Sequence, residues 1–377
     1  MKRNVWAIAL AGIMAASVLG GCGQSTTSDN QKDSTVSGSD TTQDTVQSAD
    51  ENTGNTAEVE DISLTLTTTY SETEYAGKLV KHFVDYLKEK SGDKVNIEVF
   101  WGGTLAGNGE ELSFVGTDAA DMSIIGQSTY TDVLSLLNFP SQVSGGYENA
   151  VEFMDYIVFE NEQTAPLIEA QTTAQNVKML GSTAAGSNAF IAKKEYQTLD
   201  ELNKTKLGVG MNQSAFEELG FSVVTVMPWD YYDSLSRGII DTGYMSISAL
   251  VSMSIQEVTP YFIGDGTYTA GNFFTINLDK WNGMSDAAKS LFEEAMADTQ
   301  KYSVDLSNQS DDESEAAIVA AGGSMIQLTG DDQKAVQETL FKTGVSDARS
   351  YAQTAGCTED METVLSAVSE YLNIPLE

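Results

Sequence analysis

Three patterns of apolar and polar positions succeed one another along the chain. Val5 to Leu19 is an apolar stretch of 15 residues behind Lys2 and Arg3. Residues 24–60 are rich in Ser, Thr, Asp, Gln and Asn, with almost no large apolar side chain. From Ile62 onward the pattern becomes that of a folded protein. Ser63–Thr67 alternates and predicts a strand, and Glu74–Glu89 places Ala76, Leu79, Phe83 and Leu87 at helical spacing. Lys94–Phe100 and Asp121–Ile125 predict strands on either side of a helix over Glu110–Thr117. Strand and helix keep alternating through Lys178–Leu180, Lys206–Val209 and Ser222–Met227, which predicts an α/β layered fold.

The later chain reads as helix. One long pattern runs from Ser285, placed to cap it, to Ala321, where Gly322-Gly323 stops it. Further helices are predicted from about Thr329, over Asp347–Thr354 and over Glu359–Leu372.

The first pattern is too short to span a bilayer and ends in Leu19-Gly20-Gly21-Cys22, the order of a bacterial lipoprotein signal. Residues 1–21 are therefore expected to be a signal peptide, with Cys22 acylated. Residues 22–60 follow as a disordered tether, because they cannot bury enough surface to offset their ordering entropy. The expected location is extracytoplasmic, anchored by lipid to the cell membrane.

Charge narrows the partners. Loss of Lys2 and Arg3 takes the formal charge from −35 to −37, and residues 23–61, with nine acids and one lysine, hold only −8 of it. The rest belongs to the folded part, whose negative surface repels nucleic acid and anionic headgroups. The 316 residues from Ile62 suggest about two domains. Cys357 is the only cysteine besides Cys22, so no disulfide forms within the mature fold; its thiol reads as a small, at least half-buried apolar group.

Little in the sequence supports an enzyme. His82, the one histidine, lies at the edge of the first helix's apolar stripe, and one His with one free Cys cannot build a His/Cys zinc site. Neither a G-x-S-x-G elbow nor H-E-x-x-H occurs. Gly102, Gly103 and Gly107 lack a phosphate-loop lysine. Asp311-Asp312-Glu313 reads as a solvated helix face rather than a calcium site. No cofactor is expected.

The ordered motifs carry a resemblance. Val99-Phe100-Trp101-Gly102-Gly103-Thr104-Leu105, then Asp121-Met122, Tyr130 and Phe139-Pro140, then Leu199–Leu207, and above all Met227-Pro228-Trp229-Asp230-Tyr231-Tyr232 through Gly238-Ile239-Ile240-Asp241, resemble the solute receptors of TRAP transporters, the DctP family. Asn277, Trp281 and the long helix after Ser285 fit the same pattern. The resemblance implies a two-lobe periplasmic-binding-protein fold with crossing strands at the hinge and a long C-terminal helix. Its lobes would be 61–185 plus about 274–313, and 186–273 plus about 314–377. It also implies a monomeric receptor that closes on a small-molecule solute and docks on membrane permease subunits.

The departures from that family concern its arginines. The position that holds a carboxylate-binding arginine falls on Gly208, a second on Asn188, and a frequent asparagine on Met245. The mature chain has two arginines, Arg237 and Arg349, and neither matches a ligand position. The expected lining is Tyr70, Glu72, Trp101, Tyr130, Asn188, Gly208, Trp229, Tyr244 and Met245, around a solute that is not a simple arginine-clamped carboxylate. An organic acid held by Lys193, Lys206 or backbone amides is the alternative within the binding class; a sensory or scaffold lipoprotein without transport is the alternative outside it.

Overall fold

In the computed structural model, residues 59–376 are described; the lipoprotein signal, Cys22 and the tether lie outside them. The elements follow in the order β1 (Ile62–Thr67), α1 (Tyr75–Lys90), β2 (Val95–Phe100), α2 (Glu111–Gly116), β3 (Met122–Gly126), α3 (Tyr147–Asp155), α4 (Ala165–Ala174) and β4 (Val177–Ala192). Next come α5 (Leu199–Leu202), β5 (Lys206–Val209), α6 (Gln213–Glu218), β6 (Ser222–Thr225), α7 (Tyr231–Ser236), β7 (Thr242–Ser246), α8 (Ile247–Ser252) and β8 (Tyr261–Asn277). The chain ends with α9 (Leu278–Gly283), α10 (Asp286–Ala320), β9 (Ser324–Gln327), α11 (Gly330–Ala355) and α12 (Thr358–Leu372).

Two long antiparallel strands organise the molecule. The sheet order is β2-β1-β3-β8-β4-β7-β5-β6, with β9 also on β8. β3 pairs with residues 272–276 of β8, while β9 pairs with its other end, 261–264. β7 pairs with residues 188–192 of β4. One end of the β4–β8 ribbon therefore carries the parallel strands β1–β3, and the other carries β5–β7. These are the two lobes, crossed by shared strands as expected.

Each lobe has its own aromatic core. In the first, Ile62, Leu64 and Leu66 of β1 face Leu79, Phe83 and Leu87 of α1, and Phe83 meets Phe274 of β8 at 4.9 Å between ring centroids. In the second, Phe190 lies 5.4 Å from Phe221 and 4.8 Å from Tyr244. The cap reading holds: the Ser285 hydroxyl accepts from the Ala288 N–H, satisfying one of the orphan donors of α10.

α10, 35 residues and about 50 Å long, packs on both α1 and β4. His82 joins it to α1 by a 2.6 Å bond to Asp298 and a ring stack on Tyr302 at 4.0 Å, a packing role at the stripe edge. α11 begins among the second-lobe residues Val336 and Leu340. It continues with Phe341, Val345 and Ala348 into a cluster shared with Phe153 of α3 and Val364 of α12. The two stretches that the sequence marks around 335–340 and 347–354 are thus one helix. Cys357 is half-buried before α12, 3.1 Å from the Ser135 hydroxyl.

Candidate ligand site

The C-terminal ends of parallel strands expose unpaired backbone groups and loops, which makes the facing ends of two α/β lobes a natural ligand cleft. Here β1 and β3 point their C-terminal ends from one lobe and β5 and β7 from the other, with the middle of β4 and β8 between them. Two cavities open along this line. The first lies among the loop after β3 (Gln127, Ser141), the loop after β5 (Met211, Asn212) and the α11 residues Gly344 and Asp347. Gln127 stiffens its wall: its amide donates to the Leu137 and Phe139 carbonyls at 2.8 and 3.1 Å, and its oxygen accepts from Ser141 at 2.8 Å.

The second cavity is lined by hydroxyls. Tyr75 opens α1, Tyr147 opens α3, Ser248 lies on α8, and Ser307, Ser310 and Asp311 lie on α10, with Gly186 of β4 beside them. The Tyr75 hydroxyl is 2.9 Å from the Ala184 carbonyl oxygen and 2.7 Å from Ser307 Oγ. Asp311 Oδ2 accepts from Tyr147 at 2.8 Å and from Ser187 at 2.9 Å. Burial pushes the Asp311 carboxyl above its ordinary range, against the opposing pull of those two bonds.

A third polar group lies within the hinge ribbon. Asp265, fully buried in β8, accepts from the Tyr244 hydroxyl and, at 2.8 Å each, from the Thr267 N–H and hydroxyl. Asn188 reaches the same Tyr244 hydroxyl. Burial raises Asp265 to about 6 despite these donors.

Comparison with known proteins decides the family. The model of the DctP family, bacterial extracellular solute-binding protein family 7, matches residues 66–343. The chain belongs to that family.

Among relatives, the family 7 chain is 26% identical over 204 residues to the uncharacterized protein YiiZ of Salmonella typhimurium, covering 52% of this chain and 61% of that protein. It thus spans about three fifths of the length of the curated relative it matches. A TRAP periplasmic solute-binding protein from Rhodobacter sphaeroides, in an apo open structure, superposes with a TM-score of 0.69 at 17% identity, covering 82% of this chain and 98% of that one. An extracytoplasmic solute receptor of Bordetella pertussis binding pyroglutamic acid gives 0.61 at 18% identity, with 82% and 99% covered. At these identities the superpositions establish the two-lobe fold. The family is one of extracytoplasmic receptors and not an enzyme class. Among the described residues no helix is long and apolar enough to cross a membrane.

The family 7 fold scatters the nine residues expected from sequence, and none of them lines either cavity. Tyr70 and Trp101 are half-buried at the C-terminal ends of β1 and β2, against the first-lobe core, and Glu72 is exposed in the loop that follows β1. Tyr130 is in the core, 7% exposed, with its hydroxyl donating to Glu111 at 2.7 Å and accepting from the Leu112 N–H. Asn188 and Tyr244 belong to the Asp265 group, and Met245 packs on the second-lobe core. Trp229 is 71% exposed just beyond β6. Gly208 is buried, and a Cβ there would lie 2.5 Å from Ile240 Cδ1, so this place in the strand is filled by apolar side chains.

The basic residues are engaged elsewhere. Arg237 is exposed near Asp233, and Arg349 forms a fork with Glu362 at 2.6 and 2.9 Å. Lys193 donates to the Leu235 carbonyl and Lys206 to that of Ile239, at 3.0 Å for the latter. Lys206 opens β5, at the opposite end of the strand from the cleft.

Asp311 departs from the solvated helix face that the sequence suggests for Asp311-Asp312-Glu313. Asp312 and Glu313 are exposed as a solvated face should be, but Asp311 turns inward. Its signal was positional: it continues a stripe of Ser303, Ser307, Ser314 and Ile318, all buried. No group of three His, Cys, Asp or Glu among the described residues could hold a metal ion.

Proposed function

We infer that the protein is a TRAP-type receptor, tethered through acylated Cys22, that captures a small solute between its lobes and delivers it to a membrane permease. The lobe bounds 61–185 plus about 274–313, and 186–273 plus about 314–377, belong to this proposal; β3 and β7 pairing at opposite ends of the β4–β8 ribbon support it, while the packing of α12 with Phe153 of α3 argues for moving that last helix to the first lobe. The observation that carries the ligand reading is the lining of the two cavities. It includes the carboxylates Asp311 and Asp347 and no Arg, Lys or His. A carboxylate solute such as the pyroglutamic acid of the Bordetella receptor would find no guanidinium there. Each missing charge-assisted bond is worth roughly 1.5–3 kcal/mol. The solute is accordingly neutral, zwitterionic or cationic. Tyr70, Trp101, Asn188, Trp229, Tyr244 and Met245 are proposed to meet it when the lobes close.

The higher TM-score to the open apo receptor than to the pyroglutamate-binding one supports reading this conformation as open. The engagement of Lys193 and Lys206 with backbone carbonyls speaks against a lysine clamp. The test is a thermal-shift panel followed by calorimetry, setting polyols, nucleosides, amines and amino acids against dicarboxylates, pyruvate and uronates. Binding from the first set supports the reading; micromolar binding of a simple organic acid overturns its ligand class.

A further inference from the structure

The hydroxyl-lined cavity is a distinct chemical environment. One carboxylate, Asp311, stands among Tyr75, Tyr147, Ser248, Ser307 and Ser310, and no cation faces it from the lining. Its two donors, Tyr147 and Ser187, both fall on Oδ2. Oδ1 therefore has no partner among the described residues. Tyr147 is itself fixed, 1% exposed, with its ring edge-to-face against Tyr268 at 4.9 Å. Four elements from both lobes and the long helix converge here: α1 and α3 from the first, α8 from the second, and α10 across the back.

We propose that this cavity is the part of the cleft that selects the solute, and that Asp311 binds an ammonium group on it. The inference rests on the receptor reading above and narrows its ligand class to small amines. Hydroxyls can accept from an ammonium but do not neutralise it; the free oxygen of Asp311 does both. The electrostatics of the cavity have the sign expected of a cation receptor. Burial disfavours the lone Asp311 charge, and an arriving cation removes that penalty. A carboxylate solute meets the reverse: a second negative charge in the same small space, with no compensating base. Ser248 comes from the lobe opposite Tyr75 and Tyr147, so closure would bring the second lobe against an amine already held by the first.

Calorimetry on the mature, folded chain tests this with putrescine, choline and ethanolamine against glycerol and myo-inositol, and against glucuronate. The expected result is binding of at least one amine, and none of glucuronate. Asp311→Asn, whose amide oxygen can still accept from Tyr147 and Ser187, should lower amine affinity by on the order of 30-fold or more. Asp311→Glu should retain part of it. The two variants separate charge from shape, and their unfolding midpoints report whether the fold is kept. Should Asp311→Asn fail to fold, the wild-type ranking of the three solute classes decides alone. Binding of a polyol or glucuronate in preference to every amine would overturn the proposal while leaving the receptor reading standing, as would unchanged amine affinity in a folded Asp311→Asn. Failure of all three classes to bind would overturn both.

Discussion

The Tyr244 hydroxyl donates to the Asp265 carboxylate and so ties β7 to β8 across the strand between them, β4. The donor and the acceptor lie in the ribbon that links the lobes, at the point where Ala189 of β4 pairs with Met245 on one side and Gly264 on the other.

That carboxylate makes stability depend on pH. Burial raises its pKa from 3.8 to about 6 in the folded state, opposed by the bonds from Tyr244 and Thr267. The folded protein therefore binds the proton more tightly than the unfolded chain. The contribution is most favourable below about pH 4 and is lost as pH rises through about 6, costing on the order of 3 kcal/mol once both states are ionised. Asp265→Asn has no such term. Its unfolding free energy in urea should gain on that of the wild type between pH 4 and 7; a constant difference across that range would refute the assignment.

Placing an arginine at position 208, where the sequence resemblance puts the family's carboxylate clamp, should not confer acid binding. A Cβ at Gly208 meets Ile240 Cδ1 at 2.5 Å and Val226 Cβ at 3.3 Å. Gly208→Ala is expected to cost roughly 1–3 kcal/mol by overpacking. Ile240→Val removes the clashing atom and should recover part of that loss in the double variant. Gly208→Arg should destabilise further and leave glucuronate unbound by calorimetry.

Ligand should close the lobes. Small-angle scattering of the mature protein is expected to show a smaller radius of gyration once a solute identified by the panel is saturating. An unchanged radius with bound solute would count against hinge closure.

Cys22→Ser should leave the precursor unacylated and uncleaved by the lipoprotein peptidase. Mass spectrometry of the membrane fraction checks this; a mature protein carrying no lipid, with its N-terminus elsewhere, would sink the tether.

The regular elements were legible because their patterns are strong. Leu79, Phe83 and Leu87 predicted α1, Ile97 and Val99 predicted β2, and Ser285 predicted the start of α10, each close to where the structure has it. The long crossing strands were not. Of the 16 residues of β4, the sequence marked only Lys178–Leu180, because Gly181-Ser182-Thr183-Ala184-Ala185-Gly186-Ser187 has neither alternation nor strand formers enough to declare itself. Pairing with β8 along one side, joined by β7 at its far end, holds that stretch extended. The proposed Asp311 site was not legible for a related reason. Motif matching pointed to Gly208, whose side-chain direction is closed by Ile240, whereas Asp311 and Tyr147 meet only through the packing of α10 and α3 on the same strand.

The β4–β8 ladder shifts register at Met179/Gly181, inside the first half-sheet, and again at Thr183/Ala184, Ala184/Gly186 and Ser187/Ala189, between the stretch paired to β3 and the start of the β7 pairing at Asn188. Each irregularity leaves a residue outside the ladder and allows local twist. A joint made this way flexes by re-twisting a few small residues and leaves the aromatic interiors of the lobes intact. Under the proposed hinge closure, opening and closing would draw little on the free energy released by a captured solute. Substitutions that stiffen the span, such as a side chain at Gly186, where φ is 150° and an added Cβ would lie 3.4 Å from Ser246 Oγ, are expected to act on how fast solute is exchanged rather than on which solute is chosen.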